Sequence, residues 1–295
     1  MKRIFLLLFL TGALSAQVFT DQWTGAASGA AAGGAQVAVN RSLWSHSYNP
    51  AGVAHVNTLG AGFSFNSPGS YGMASLSMFS AALPLGEKWG TLSLHGDMLR
   101  VKNGDAVLSS ENALGLSHGF HLLKDLRSSL SLGYSLNVLF ANYGTSAGLS
   151  GDGSDGIDLG GVAGLGVDVG LQASLRERTW MGLAIKNINA PKFGSSESEA
   201  PALRKFVAGL GYAPYYGLKS SFEVEKVFGR DVQYRAGLEY ALMEWFVLRA
   251  GISTYPSQLT LGFGVQKSFF KVDYAFVSHP VLSGTHFFTL EFYKP

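Results

Sequence analysis

From about Thr58 to the C-terminus the chain alternates apolar and polar positions in short segments separated by turn residues. The last segment shows this best: Phe288, Leu290 and Phe292 fall on one side, Phe287, Thr289 and Glu291 on the other. Successive strand residues point to opposite faces, so a period of two marks a strand with one apolar and one wetter face. Repeated many times behind a secretion signal, the pattern predicts an all-β fold, a transmembrane antiparallel β-barrel with an N-terminal plug or hatch. Fourteen strands are expected near 58–66, 72–83, 89–101, 111–122, 127–142, 160–174, 179–188, 203–213, 217–227, 232–242, 245–254, 258–268, 270–278 and 284–293. Their lengths suit tilted membrane strands of roughly ten residues. Counts of twelve or sixteen also fit the alternation.

Connection lengths alternate too. Those after odd strands include the longer stretches Lys102–Ser110, Tyr143–Leu159 and Asn189–Ala202. Those after even strands, such as Pro84–Lys88, Leu123–Leu126, Arg176–Arg178 and Met243–Glu244, are short. Long extracellular loops and short periplasmic turns place both termini in the periplasm.

Faces sort cleanly in the later strands. Tyr234, Ala236, Leu238 and Tyr240 oppose Gln233, Arg235, Gly237 and Glu239. Leu218, Phe222 and Val224 oppose Lys219, Ser221, Glu223 and Glu225, and Val272, Tyr274 and Phe276 oppose Lys271 and Asp273. Phe246, Leu248 and Ile252 oppose Arg249. A charge facing lipid near the bilayer midplane costs several kcal/mol, so the charged faces must look inward. Glu223, Glu225, Arg235, Glu239, Arg249, Lys271, Asp273 and Glu291 then form a polar cluster on one lumen wall. It reads as a polar substrate path, a docking site for the plug, or a structural salt-bridge ladder. Trp89, Trp180, Tyr212, Tyr215, Tyr216 and Trp245 lie near strand ends, as interfacial girdles require.

The N-terminus differs. Met1-Lys2-Arg3, an apolar run Ile4–Leu10 and the small residues up to Ala16 make a signal peptide over 1–16, too short to span a bilayer. No Cys follows it, so no lipid anchor is expected. Residues 17–57 are rich in Gly and Ala and lack strand alternation. Small residues permit close backbone approach, as a segment folded inside a barrel needs. The plug or hatch is therefore assigned to 17–57, with its motif at Asn49, Pro50, Ala51 and Gly52, and the barrel to 58–295. A disordered periplasmic leader is the alternative for 17–57.

Composition narrows the function. Twenty-two Lys and Arg face 20 Asp and Glu; without Lys2 and Arg3 the balance is even. No clustered basic face is available for nucleic acid. The absence of Cys excludes disulfides, thiol catalysis and Cys-held metals. No internal run reaches 18 apolar residues, which leaves the barrel as the way to satisfy the backbone in lipid.

Candidate chemistry is sparse. Gly115-Leu116-Ser117-His118-Gly119 matches the nucleophile-elbow spacing, but an elbow needs a strand, a sharp turn and a helix, and here the alternation runs on. Asp152, Asp155 and Asp158 sit in a Gly-rich loop with oxygen ligands for calcium, but their spacing fits no EF-hand, and a solvated loop is expected. Gly161-Val162-Ala163-Gly164-Leu165-Gly166 has the wrong glycine order for a dinucleotide loop and no helix after it. His118 and His121 fall on opposite strand faces. No cofactor and no metal site are expected.

Gly33-Gly34-Ala35 followed by Tyr48-Asn49-Pro50-Ala51-Gly52-Val53-Ala54 resembles the opening of the PorV/PorQ family, outer-membrane barrels of FadL-like type. Val167-Asp168-Val169-Gly170-Leu171, Gly182-Leu183-Ala184-Ile185-Lys186-Asn187-Ile188 and Pro191 resemble its mid-barrel signature. Gly237-Leu238-Glu239-Tyr240, Leu248–Gly251, Leu261–Gly264, Val272–Phe276 and Gly284–Phe292 look like its later strands. Two places depart: 38–47 lacks the family's acidic stretch, and Tyr293-Lys294-Pro295 follows the final aromatic. The resemblance implies a fourteen-stranded, non-enzymatic barrel with a hatch in the outer membrane of a Gram-negative-type bacterium, surrounded by lipid. It implies a type IX secretion or surface-assembly component with secretion-apparatus or cargo proteins as partners. The alternative is a FadL-like passive transporter of a hydrophobic small molecule. A barrel hydrolase using Ser117 is a third, remote reading.

Overall fold

The computed structural model describes residues 25–70, 72–104, 106–146, 148, 149, 151, 155–193 and 200–295. The expected signal peptide and residues 17–24 lie outside the described residues. The strands are β1 Gly60–Ser67, β2 Ala74–Gly86, β3 Gly90–Asn103, β4 Ala106–Lys124, β5 Ser129–Tyr143, β6 Gly161–Leu175, β7 Thr179–Lys186, β8 Lys192–Phe193 and β9 Ala200–Pro201. They continue as β10 Lys205–Tyr212, β11 Leu218–Val227, β12 Val232–Met243, β13 Phe246–Ser253, β14 Gln258–Lys267, β15 Phe270–Val277 and β16 Thr285–Tyr293. All but β8 and β9 form one closed antiparallel barrel of fourteen strands. β1 closes it against β16, from Gly60 opposite Tyr293 to Ser67 opposite His286. β8 and β9 pair only with each other, inside the connection from β7 to β10.

The barrel is inside out relative to a soluble one. Phe63, Phe79, Leu94, Leu114, Leu183, Phe222, Leu238 and Phe288 are exposed, while Ser64, Ser80, Ser93, Ser117, Gln172, Glu223, Asp273 and Glu291 are buried. An apolar exterior around a wetter interior is what a lipid solvent selects.

Two expectations are corrected. Lys102–Ser110 is not a long connection: Asn103 pairs with Ala106, and β3 and β4 meet in a tight hairpin. Gly104, at φ 58°, supplies the left-handed turn residue. Ser109, Ser110 and Glu111 read as loop because of their polarity, yet they continue β4, which reaches 19 residues. Trp180 does not join an interfacial girdle. It is buried, faces the lumen and packs with Val37, Val39 and Val207.

Residues 25–57 lie along the inner wall. Helix α1 (Ala27–Ala31) sits on β14, β15 and β16, and a 3-10 turn over Pro50–His55 sits on β3 to β6. The short helix α2 (Ser45–Tyr48) lies between them in sequence. The wall supplies what this backbone needs. Thr289 Oγ1 accepts from Ala27 N (2.9 Å), and Thr260 Oγ1 accepts from Gly33 N (3.0 Å) and donates to Ala31 O (2.8 Å). Glu223 Oε2 accepts from Gln36 N (2.9 Å) and Val37 N (2.8 Å). Ser80 Oγ donates to Leu43 O (2.6 Å) and Thr91 Oγ1 to Val56 O (2.8 Å). Buried backbone groups must be paired, and inward hydroxyls and carboxylates replace a sheet partner here.

Glycines make the approach possible. A Cβ at Gly119 would stand 2.5 Å from Ala54 N, at Gly209 2.5 Å from Val37 Cγ1 and at Gly262 2.6 Å from Ala31 Cβ. At Gly133, Gly182 and Gly237 it would collide with the backbone of Pro50, Val37 and Ala32. Trp44 anchors the middle of the segment: it is fully buried, and its Nε1 donates to Glu291 Oε1 at 3.2 Å.

Three cationic or basic groups meet near the turn end of the segment. Arg41 lies over the Trp180 ring (5.9 Å), and burial lowers its pKa to about 10, partly offset by Glu177. His55 stands edge-on to His121 at 4.8 Å and shares Ser131 with it. Burial, then Arg41, His121 and Lys124, push the His55 pKa down to about 3.

Two outcomes are expected. Gly133→Val cannot be absorbed by a flexible neighbour, because the facing atoms are backbone, so docking of the segment should weaken by about 1–3 kcal/mol. Limited proteolysis within 25–57 would report this; unchanged protection would show that the wall does not hold the segment there. For pH, the docked His55 stays neutral while a released one titrates near its ordinary value of about 6.5. The undocked state therefore binds more protons between pH 6.5 and 3, and docking is strongest above about 6.5 and lost as pH falls. Proteolysis at pH 7.5 and pH 5 should show a more accessible segment at pH 5, and His55→Gln should reduce the difference. Equal or better protection at pH 5 would refute the argument.

Candidate functional site

Two adjoining cavities open above the segment at the barrel end that carries the long connections. The larger, about 520 Å³, has Arg230, Asp231, Tyr255 and His279 at its rim and Gly33, Gly34, Ser47 and Tyr48 in its floor. The smaller, about 150 Å³, lies toward β2 to β6. Ser47, Lys186 and Lys205 line both. One wall of the smaller cavity is apolar, with Leu76, Leu99, Ala113, Leu139 and Ala202. Phe193, from the connection between β7 and β10, packs against Leu139, Ala141 and Ala202 above it. The ring has room because Gly164 lies beneath it.

Below it, on the same inward faces of β3 and β5 and continuing to β6, lies a polar chain. His95 Nε2 donates to Asn137 Oδ1 (3.1 Å), Asn137 Nδ2 to Asp168 Oδ2 (2.9 Å), and Asn187 N to Asp168 Oδ1 (2.8 Å). His46, from α2, stacks on His95 with ring centroids 3.8 Å apart. Its Nδ1 contacts Leu43 O at 3.1 Å. A carbonyl only accepts, so Nδ1 carries the proton and Nε2 keeps its lone pair. Burial, then His95 and Lys186, hold the His46 pKa well below the usual range, so the ring is neutral. Lys186 Nζ donates to Ser47 O and ties the cavity floor to β7.

The eight residues expected in the lumen cluster come together on one wall, in two ladders. Lys205 pairs with Glu225 (3.3 Å), and Arg235 with Glu225 and Glu223 (3.1 Å each). Lys219 pairs with Glu239 (3.1 Å), Arg249 with Glu239 and Asp273 (2.7 Å each), and Lys271 with Asp273 (2.8 Å) and Glu291 (3.0 Å). Each ladder is neutral, with two cations against two anions in the first and three against three in the second. Glu223 also accepts from the segment backbone, and Glu291 from Trp44. The cluster thus fastens wall to wall and wall to segment. Only its upper members, Glu223, Glu225 and Arg235, line the larger cavity.

Asn49, Pro50, Ala51 and Gly52, expected as a hatch motif, sit at the junction of segment and wall. Asn49 is fully buried; its Nδ2 donates to Val37 O (2.8 Å) and Leu171 O (3.0 Å), and its Oδ1 accepts from Ala51 N (3.0 Å). Pro50 and Ala51 lie on Gly133, and Gly52 faces Asn40 O where a Cβ would stand 2.5 Å away. Ser117 lies mid-strand in β4, fully buried, with its Oγ 2.7 Å from Ser135 and 3.5 Å from His95 Nδ1. The last distance exceeds an ordinary hydrogen bond, and neither cavity reaches the hydroxyl. Asp155 and Asp158 accept from backbone of their own loop, Leu149 N and Gly160 N; Asp152 lies outside the described residues. Among the described residues no group of three His, Asp or Glu is placed to hold a metal.

Sequence reasoning missed His46, His95, Asp97 and Asp168 as cavity residues. Their signal was available for the strands: Asp97 and His95 share the inward parity of Ser93, and Asp168 that of Gln172. His46, in a segment without periodicity, carried none.

No family model matches the sequence, and no curated protein does. Solved structures match in fold. The toluene transporter TbuX of Ralstonia pickettii is 12% identical, with 92% of this chain and 98% of that chain covered at a TM-score of 0.63. The toluene transporter TodX of Pseudomonas putida is 13% identical, with 95% and 100% covered at 0.61. A FadL homologue of Pseudomonas aeruginosa is 12% identical, with 91% and 97% covered at 0.57. The chain has the FadL-like barrel fold.

Proposed function

We propose that the protein is a non-enzymatic, passive transporter in a Gram-negative-type outer membrane for small molecules with a substantial apolar part. The carrying observation is the cavity with the Leu76, Leu99, Leu139 wall, open to the loop-end vestibule and floored by the inner segment. Such a solute leaves water at the loop end, rests on the apolar wall and passes when the floor at Ser47 and Tyr48 yields. The segment then acts as a hatch. The fold shared with two toluene transporters supports this reading.

The secretion reading rests on the PorV/PorQ resemblance alone. The residues that carry its opening motif have a local task here: Gly33 and Gly34 turn the segment at φ 67° and 76°, and Asn49 pins it to β6. Any barrel with this internal segment needs them, whatever its cargo.

Asn49→Ala leaves Val37 O and Leu171 O without that donor, a loss of about 1–3 kcal/mol in docking. Liposomes carrying the variant should take up toluene several-fold faster than those carrying the native barrel, which should itself exceed protein-free liposomes. No uptake above the protein-free background by either would remove the transport reading.

A further inference from the structure

The smaller cavity contains polar atoms that the protein leaves unused. Asp97 Oδ1 and His46 Nε2 are buried and have no hydrogen-bond partner among the described residues. His46 is 4% exposed, and both residues line the cavity. Both of these atoms accept: one belongs to a carboxylate, and the other is the bare imidazole nitrogen whose ring proton sits on Nδ1; Ser47 Oγ, also buried and unpartnered in this lining, can donate or accept. The neighbouring cations are committed elsewhere, Lys186 to Ser47 O and Lys205 to Glu225. Asp97 and Asp168 set carboxylates in the lobe beside Lys186. Buried acceptors without donors are rare and costly, so they indicate a group that donates.

We propose that this cavity binds an organic ammonium, its N–H groups held by Asp97 Oδ1 and His46 Nε2 and its apolar part on Leu76, Leu99 and Leu139. The inference rests on the transport reading for the cavity's role and names the class of molecule it takes. A volume of about 150 Å³ suits a benzene-sized body. The ammonium supplies the missing donors and pairs its charge with Asp97. A neutral aromatic of the same size would leave both acceptors bare, and a carboxylate would add repulsion.

The test is equilibrium dialysis of the intact barrel in detergent with labelled benzylammonium at neutral pH, against a detergent-only control, with toluene and benzoate as competitors. Saturable binding that neither competitor displaces is expected. Asp97→Asn should weaken it about tenfold or more, as loss of a charge-assisted hydrogen bond does. His46→Phe keeps a ring against His95 but removes the acceptor, and should also weaken binding; it carries the test if Asp97→Asn fails to fold. Ala113→Leu, which fills the apolar half, should do the same. Equal competition by toluene or benzoate, or unchanged binding in Asp97→Asn and His46→Phe, overturns the proposal. Uptake of the three probes by barrel-containing liposomes separates the two readings. Binding of benzylammonium without uptake of any probe sustains the site and removes transport. Uptake indifferent to charge, without selective binding, sustains transport and overturns the ammonium site.

Discussion

The structure depends on one constraint: a length of backbone with little secondary structure of its own is held against the inside of a closed sheet. Where the segment docks, the strand groups are already paired around the ring, so the wall has no free ladder to offer. Where the segment's own turns leave N–H and C=O groups open, inward side chains pair them, and they reach it only if the wall stands back elsewhere. Threonine, serine and glutamate at some inward positions and glycine at others meet both needs. Thr260 illustrates the first, serving Ala31 O and Gly33 N with one hydroxyl. Gly133 illustrates the second, lying under Pro50. The 38 glycines, unusual in a chain this hydrophobic, are in part the footprint of this docking.

The same constraint governs the charges. In a lumen occupied by protein, an ion without a partner carries most of its desolvation penalty, so the interior charges assemble into neutral ladders. Glu223 and Glu291 extend those ladders to the segment through Val37 N and Trp44 Nε1. The charged wall and the segment therefore form one polar framework, which is why the cluster lines a cavity only at its upper end. Asp97 and Arg41 depart from this rule, each with buried atoms left unpartnered, and Asp97 does so in the lining of the smaller cavity.

Much of this was legible in the sequence, for a physical reason. Lipid on one side and protein on the other enforce strict alternation, so fourteen strand positions and the inward side of eight charges follow from period two. Alternation fails where the solvent changes. Near the loop end the two faces of β4 stop alternating in burial, so Ser109–Glu111 looked like loop. Trp180 looked like a girdle residue because its type is common at interfaces, but its parity, shared with Gly182 beneath Val37, already pointed inward. The path of residues 25–57 was not legible, since a backbone docked on glycine and hydroxyl leaves no hydrophobic period. The cavity, formed between that path and the wall, was hidden with it.

The fastening also decides how such a barrel could open. Expelling the whole segment would strip donors and acceptors from β6, β11, β14 and β16 at once and expose Leu43 and Trp44, which are 1% and 0% exposed. A local rearrangement disturbs far less. Helix α2 spans four residues without a side-chain cap, and the floor at Ser47 is tied to the wall by Lys186. Small units open at lower cost than the global fold. The same helix carries His46, one of the two unused acceptors, so a ligand in the smaller cavity touches the element whose displacement would let it through. On the transport reading proposed above, recognition and opening are coupled through one turn of chain, while the glycine-seated remainder of the segment stays in place.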